Sequence, residues 1–195
     1  AGIYPESLEI RRTTKSGLPI LLRPVKITDE PLIKEFFHHL SDDSPYSRFM
    51  TTKKDLSHQW LQDFSVIDYS KKMVILAVVM DGNAGMETIV GIGQYGITGE
   101  THMAEVAYVV RDDYHRRGVG GELLSYLTYL AKKQGLLGFV AEVLSTNTRI
   151  FRMFQKMGFM LEKVWEEDGV YEMRASFRDQ DAAGGDVEIE GGFQD

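Results

Sequence analysis

Val109-Val110-Arg111-Asp112-Asp113-Tyr114-His115-Arg116-Arg117-Gly118-Val119-Gly120-Gly121-Glu122-Leu123-Leu124 is the stretch on which the fold turns. An apolar run leads into it, as a strand would. From Val119 the period changes: Val119, Leu123, Leu124, Leu127, Leu130 and Ala131 fall on one helical face, and Gly135 can end that helix. The glycines of His115 to Gly121 therefore stand at a helix amino end. Unpaired backbone N–H groups point outward there, and the helix dipole favours an anion. Gly118 and Gly120 lack the Cβ atoms that would block phosphate oxygens. Arg111, Arg116 and Arg117 concentrate positive charge in a chain of net charge -7. Together these features describe a diphosphate cradle. The plainer alternative is a glycine-rich turn with solvated arginines, and glycine spacing alone does not separate the two. No lysine followed by Ser or Thr lies in the loop, as a P-loop needs. No strand-GxGxxG-helix unit with a downstream acidic residue is present either, which sets aside a dinucleotide fold.

Outward from this stretch, strands precede it and a strand-helix-strand-strand order follows it. Ser7 to Thr13 and Leu18 to Val25 read as strands around the turn Lys15-Ser16-Gly17. Asp29-Glu30-Pro31 opens a helix, with the acidic residue as an amino-end cap and proline in the first turn. A further helix is expected from Leu56 to Phe64. Lys72 to Met80, Thr88 to Thr98 and His102 to Val110 read as strands. Gly91, Gly93 and Gly96 suggest a bulge or a close backbone approach. Leu136 to Leu144 is a buried strand, Asn147 to Met157 a helix, and Phe159 to Trp165 and Val170 to Phe177 close the pattern. The order predicts a mixed α/β domain over residues 1–178. Residues 179–195, acidic and glycine-bearing without a basic residue, read as a solvated tail.

Composition narrows the function classes. Hydrophobic residues make up 43% and charged residues 26%, an ordinary globular balance. The longest apolar run, Met73 to Met80, is too short to span a bilayer, so no membrane partner is expected. The acidic balance disfavours nucleic acid. Cysteine is absent, which excludes disulfides and thiolate chemistry. The five histidines show no HExxH spacing, so no metal site is expected. No secretory pattern opens the chain, and a cytoplasmic protein is the expectation.

The His115 to Gly121 loop resembles the main coenzyme A motif of the GNAT superfamily: Gln or Arg, two residues, Gly, one residue, Gly or Ala. A second motif of that superfamily is matched by Asn147 with Phe154-Gln155-Lys156-Met157-Gly158-Phe159. The resemblance covers roughly Leu18 to Phe177. Tyr4-Pro5-Glu6, Gly17-Leu18-Pro19-Ile20-Leu21-Leu22-Arg23-Pro24-Val25, Asp29-Glu30-Pro31-Leu32 and Arg48-Phe49 are similar to the acetyltransferase portion of bacterial Pat-type protein lysine acetyltransferases. The resemblance implies the GNAT fold, a central, mostly antiparallel twisted sheet of about seven strands with about four helices. It implies acetyl-CoA as co-substrate and an amine acceptor, foremost a protein lysine, and it admits a homodimer. It implies that Arg111, His115, Arg116, Arg117, Gly118, Val119, Gly120 and Gly121 hold the diphosphate. Val109 and Val110 would meet the pantetheine, the Val109 N–H would polarise the thioester, and Asn147 would fix the pantetheine or adenosine side. Two departures stand out. His115 replaces the usual Gln or Arg, and Phe154 replaces the tyrosine that serves many members as general acid. Phe cannot donate a proton; Tyr46, Tyr114 and Tyr171 are weak substitutes.

An acceptor lysine, with a reference pKa of about 10.4, must lose a proton before it attacks a thioester. Glu105 is the candidate base. Strand alternation puts Met103, Glu105, Ala107 and Val109 on one face, and apolar flanks are expected to shield that carboxylate. Glu105 also matches the glutamate base of the histone-type members. Its plain alternative is an exposed strand glutamate. Two further functions compete: a small-amine acetyltransferase, and an acetyl-CoA sensor without turnover, which Phe154 alone encourages.

Overall fold

The computed structural model describes residues 3–40, 68–81, 85–97, 99 and 102–178. Among these, eight strands form one sheet: β1 (Ile10–Thr13), β2 (Pro19–Pro24), β3 (Lys72–Asp81), β4 (Met86–Ile97), β5 (Met103–Val110), β6 (Gly138–Leu144), β7 (Met160–Glu167) and β8 (Val170–Ser176). Their order is β1-β2-β3-β4-β5-β6-β8-β7. Three α-helices accompany them: α1 (Glu30–His38), α2 (Val119–Lys133) and α3 (Thr148–Lys156). The expected helix at Leu56 to Phe64, together with Tyr46, Arg48, Phe49 and the acidic tail, lies outside the described residues.

β3 explains the architecture. Its run Met73 to Val78 is buried without a break because helices cover both faces of the sheet. Met73, Ile75 and Ala77 join the core under α2, with Leu123, Leu124 and Leu127. Val74, Leu76 and Val78 join the core under α1, with Ile33, Phe36 and Phe37. The glycines of β4 serve the α2 face. A Cβ on Gly91 would lie 2.9 Å from Leu123 Cδ1, and one on Gly93 would lie 2.9 Å from Leu127 Cδ1. The bulge is there too: Ala77 pairs with Gly91 but Val78 with Ile89, leaving Val90 unmatched.

Two local expectations need correction. The amino-terminal strand is shorter than read: Glu6–Leu8 is a single 3-10 turn and β1 begins at Ile10. Asp29 does not cap α1, which starts without a side-chain cap. Its carboxylate takes two hydrogen bonds from the buried Arg23 guanidinium, at 2.8 and 2.7 Å, and one from the Lys26 N–H at 2.7 Å. Arg23 also reaches Glu87 at 2.8 Å. A buried cation recruits the nearest carboxylates, and a helix cap is the weaker claim on Asp29.

Every neighbouring pair of strands is antiparallel except β5 and β6. That parallel pairing joins only Met103 to Gly138, Ala104 to Phe139 and Glu105 to Val140. β5 continues to Val110 and β6 to Leu144 without pairing to each other. The sheet therefore opens into a wedge just beyond Glu105.

Candidate active site at the parting of β5 and β6

Hydrogen bonds fix which backbone groups face the wedge. The Arg111 N–H donates to the Val90 carbonyl at 2.8 Å, on the β4 side, and the Leu137 N–H donates to the His102 carbonyl at 2.7 Å, on the β6 side. Backbone groups alternate along a strand. Glu105, Ala107 and Val109 therefore direct theirs toward β4, and Val106, Tyr108 and Val110 direct theirs toward the wedge. The Val109 N–H, expected at the thioester, points across the ladder instead. Its neighbour Val110 presents an N–H to the wedge. The Val110 carbonyl lies 2.9 Å from His115 Nε2. A carbonyl only accepts, so Nε2 carries the proton. His115 thus ties the start of the loop to the end of β5.

The loop itself bends sharply. Arg116 has φ 63° and Gly118 φ 85°. Gly118 is the N-cap of α2 and brings no side chain to the helix end. Val119, Gly120 and Gly121 form the buried first turn. The three arginines are not equivalent. Arg111 makes a two-pronged ion pair with Asp113, Nε to Oδ1 at 3.0 Å and Nη2 to Oδ2 at 2.8 Å. That contact holds the Asp113 carboxyl below the ordinary carboxylate range. Arg116 and Arg117 are exposed. The Arg117 guanidinium sits 5.0 Å from the centre of the Tyr114 ring, and that of Arg111 sits 5.7 Å from it.

One contributor escaped sequence reasoning. The turn between β1 and β2 is docked on the loop. Ser16 Oγ donates to the Arg117 carbonyl at 2.9 Å and lies 3.0 Å from Thr14 Oγ1. Thr14 is 3% exposed. A Cβ on Gly118 would come within 3.2 Å of Thr14 Cβ, so the glycine is what lets the turn seat. Farther along α2, Tyr126 Oη donates to the Leu8 carbonyl at 2.5 Å. The amino-terminal segment thus braces the cradle helix along its length.

Glu105 shares the α1 face with Ala107 and Val109, as alternation predicts. Its surroundings differ from the expectation: the side chain is exposed, not shielded by apolar flanks. Alternation fixes the face but not how exposed each side chain on it is. Asn147 caps α3, its Oδ1 accepting from the Ile150 N–H at 3.4 Å. Phe154 is fully buried, its ring 5.1 Å from Phe159, in an aromatic cluster that includes Phe139 and Phe177. Tyr171 is buried, which raises its phenol above the ordinary value, and Lys163 Nζ lies 4.5 Å over its ring. Among the described residues no His, Cys, Asp and Glu cluster suits a metal, and no helix is long and apolar enough to cross a membrane.

A mostly antiparallel sheet that parts at one parallel pair, with a glycine loop and helix amino end beside the opening, is the architecture of an acyl-CoA-dependent transferase. The chain belongs to the GNAT acetyltransferases: residues 20–160 match the Acetyltransferase (GNAT) domain family. It is 26% identical to an acetyltransferase of Pseudomonas aeruginosa over 144 residues, 74% of this chain and 76% of that protein. It is 28% identical to the acetyltransferase Pat of Mycolicibacterium smegmatis over 159 residues, which are 81% of this chain but 45% of that protein. The GNAT domain of S. lividans PAT superposes with a TM-score of 0.75 at 26% identity, covering 90% of this chain and all of that one. The PaiA N-acetyltransferase of Thermoplasma acidophilum, solved with coenzyme A, has a TM-score of 0.62 at 19% identity over 81% of this chain and 99% of that one, a likeness of fold. The chain is accordingly an N-acetyltransferase with acetyl-CoA as co-substrate.

Proposed function

We propose that this acetyltransferase modifies lysine side chains of proteins, with Glu105 as general base. The observation that carries the reading is the position of Glu105: exposed, on the last paired row before β5 and β6 part. A carboxylate open to solvent at the mouth of the wedge suits an acceptor presented on a large partner. The similarity to Pat supports the same acceptor class.

Acetyl-CoA, when bound, supplies the activated acetyl group and a thiolate leaving group. The residues fit it: a buried glycine turn at the amino end of α2, Arg116 and Arg117 exposed beside it, and a stretch of β5 beyond Glu105 that does not pair with β6. Backbone N–H groups from Gly118 to Gly121 and the two arginines hold the diphosphate. Arg111 steadies the loop through Asp113, and His115 does so through Val110. The edge formed by Val106, Tyr108 and Val110 aligns the pantetheine arm as an added strand. Asn147, already the cap of the helix that follows β6, orients the same arm. Glu105 receives a proton from the lysine ammonium, directly or through one water. The Val110 N–H takes the task assigned to Val109 and donates to the oxygen on which charge builds. Phe154 gives no proton, and the departing thiolate takes one from solvent or from the attacking nitrogen. We place this activity in the cytoplasm.

The test is transfer of labelled acetyl groups from acetyl-CoA into a bacterial lysate fractionated by size. Label in protein lysines supports the proposal. Label confined to small molecules contradicts it in favour of a small-amine enzyme, and binding without any label leaves a sensor.

A further inference from the structure

Among the described residues, Gln94 carries a buried oxygen that no donor satisfies. Its Oε1 is sealed from solvent and has no hydrogen-bond partner. Buried side-chain oxygens are nearly always paired, so an orphan calls for a missing donor.

Its location gives the orphan meaning. Along β4, Gly93 faces Leu127 of α2, and Tyr95 belongs to the α2-side core. Gln94, between them, points to the opposite face, as Ile92 does in the core under α1. Its partner in the register is Ala107, and Gly96, two residues on, is opposite Glu105. Glu105 and Ala107 are on that same face. Gln94 and Glu105 are therefore diagonal neighbours across β4 and β5, about 7–8 Å apart by the usual strand geometry. The residues between them in the register, Ala107 and Gly96, bring a methyl group and no side chain. The Gln94 side chain as a whole is partly exposed. Rotation of its terminal amide, a soft torsion, turns the oxygen into the gap.

We infer that Gln94 is a specificity-determining residue that accepts an N–H from the acceptor nitrogen and selects a primary ammonium. A lysine ammonium has three donors and no acceptor. One donor meets the Gln94 oxygen, a second meets Glu105, and the nitrogen is held over the Ala107 methyl. A neutral amide suits this task. It binds the nitrogen before and after proton loss, whereas a second carboxylate would hold the proton and oppose deprotonation. The inference deepens the proposed function and rests on it for the role of Glu105.

Gln94→Met and Gln94→Glu, made in the full chain, test it with two probes, n-butylamine and a blocked lysine amide. For Gln94→Met the account expects the KM of both amines to rise about tenfold, the loss of one hydrogen bond, with kcat at saturation and the Kd of acetyl-CoA little changed. Its melting temperature should not fall, because an unsatisfied oxygen is removed. Gln94→Glu should lower the amine KM and move the acid limb of the kcat profile to higher pH. An unchanged amine KM in Gln94→Met overturns the inference, and so does a lowered melting temperature, which would mark the oxygen as structurally paired. A raised KM in Gln94→Glu overturns it as well. Failure of Glu105 as base would appear separately, as a kcat retained by Glu105→Gln whatever Gln94 does.

Discussion

The proposed mechanism rests on Glu105, Val110 and Ser16, which are unequally legible in the sequence. The glycines of the loop could be placed at a helix amino end because that signal is local, and the proposed anion site builds on it. Glu105 could be placed on its face by alternation, but not in its surroundings, since a strand pattern does not say what covers a face. Val109 and Val110 could not be told apart until the ladder set the direction of each N–H. Ser16 was out of reach, for its hydroxyl crosses 101 positions to the Arg117 carbonyl. Ser16→Ala is expected to weaken acetyl-CoA binding about five- to tenfold by freeing the loop, read by calorimetry, with the melting temperature nearly unchanged. Glu122, in the first turn of α2, gives a pH signature. Burial raises its carboxyl above the ordinary range, and Arg12 opposes this more weakly. A raised carboxyl favours the folded state when protonated, and that advantage is lost as pH rises through its folded-state value. Glu122→Gln should therefore raise the melting temperature at pH 7, with the gain vanishing as the buffer is taken below the ordinary carboxylate range.

The elements were read largely as they form, and the misreadings have physical causes. The unbroken apolar run of β3 and the periodicity of α2 declare themselves, because burial on two faces and on one face leave different patterns. Asn147, read as the start of a helix, is its cap. Asp29 was misread because its stronger partner, Arg23, belongs to the strand before it. Gly138 illustrates an element-level demand that sequence does not reveal. It opens β6, pairs with Met103 on one side and Ser176 on the other, and sits at the base of the wedge. A Cβ there would lie 2.3 Å from the Ala175 carbonyl oxygen and 2.8 Å from Ser176 Cα. Neither backbone atom can step aside, so β6 and β8 must separate. Gly138→Ala is expected to cost about 1–3 kcal/mol or more in urea unfolding and to lower turnover by widening the wedge. A substitution without effect on either would mean that the pairing at this row is not needed.

At the scale of the molecule, sequence gave the class of fold through its motifs but not the order of the strands. Nothing in spacing says that β8 inserts between β6 and β7, or that the parallel pairing stops at Glu105. The Arg23, Asp29 and Glu87 group shows how distant parts are joined: β2, the entry to α1 and the start of β4 meet on one buried guanidinium. Arg23→Ala should leave two carboxylates without their cation and cost about 3–5 kcal/mol by denaturant melts. The opening itself is bordered by Glu105 at the last paired row of β5 and β6, and β5 leads from there into the glycine loop. The most direct test of that arrangement is the kinetics of Glu105→Gln with acetyl-CoA and a lysine-containing peptide, alongside the Kd of acetyl-CoA. The account predicts a fall in kcat of about 100-fold or more with Kd unchanged, since the base is lost and the cradle is not. A kcat near that of the unaltered protein, with Kd unchanged, would contradict it.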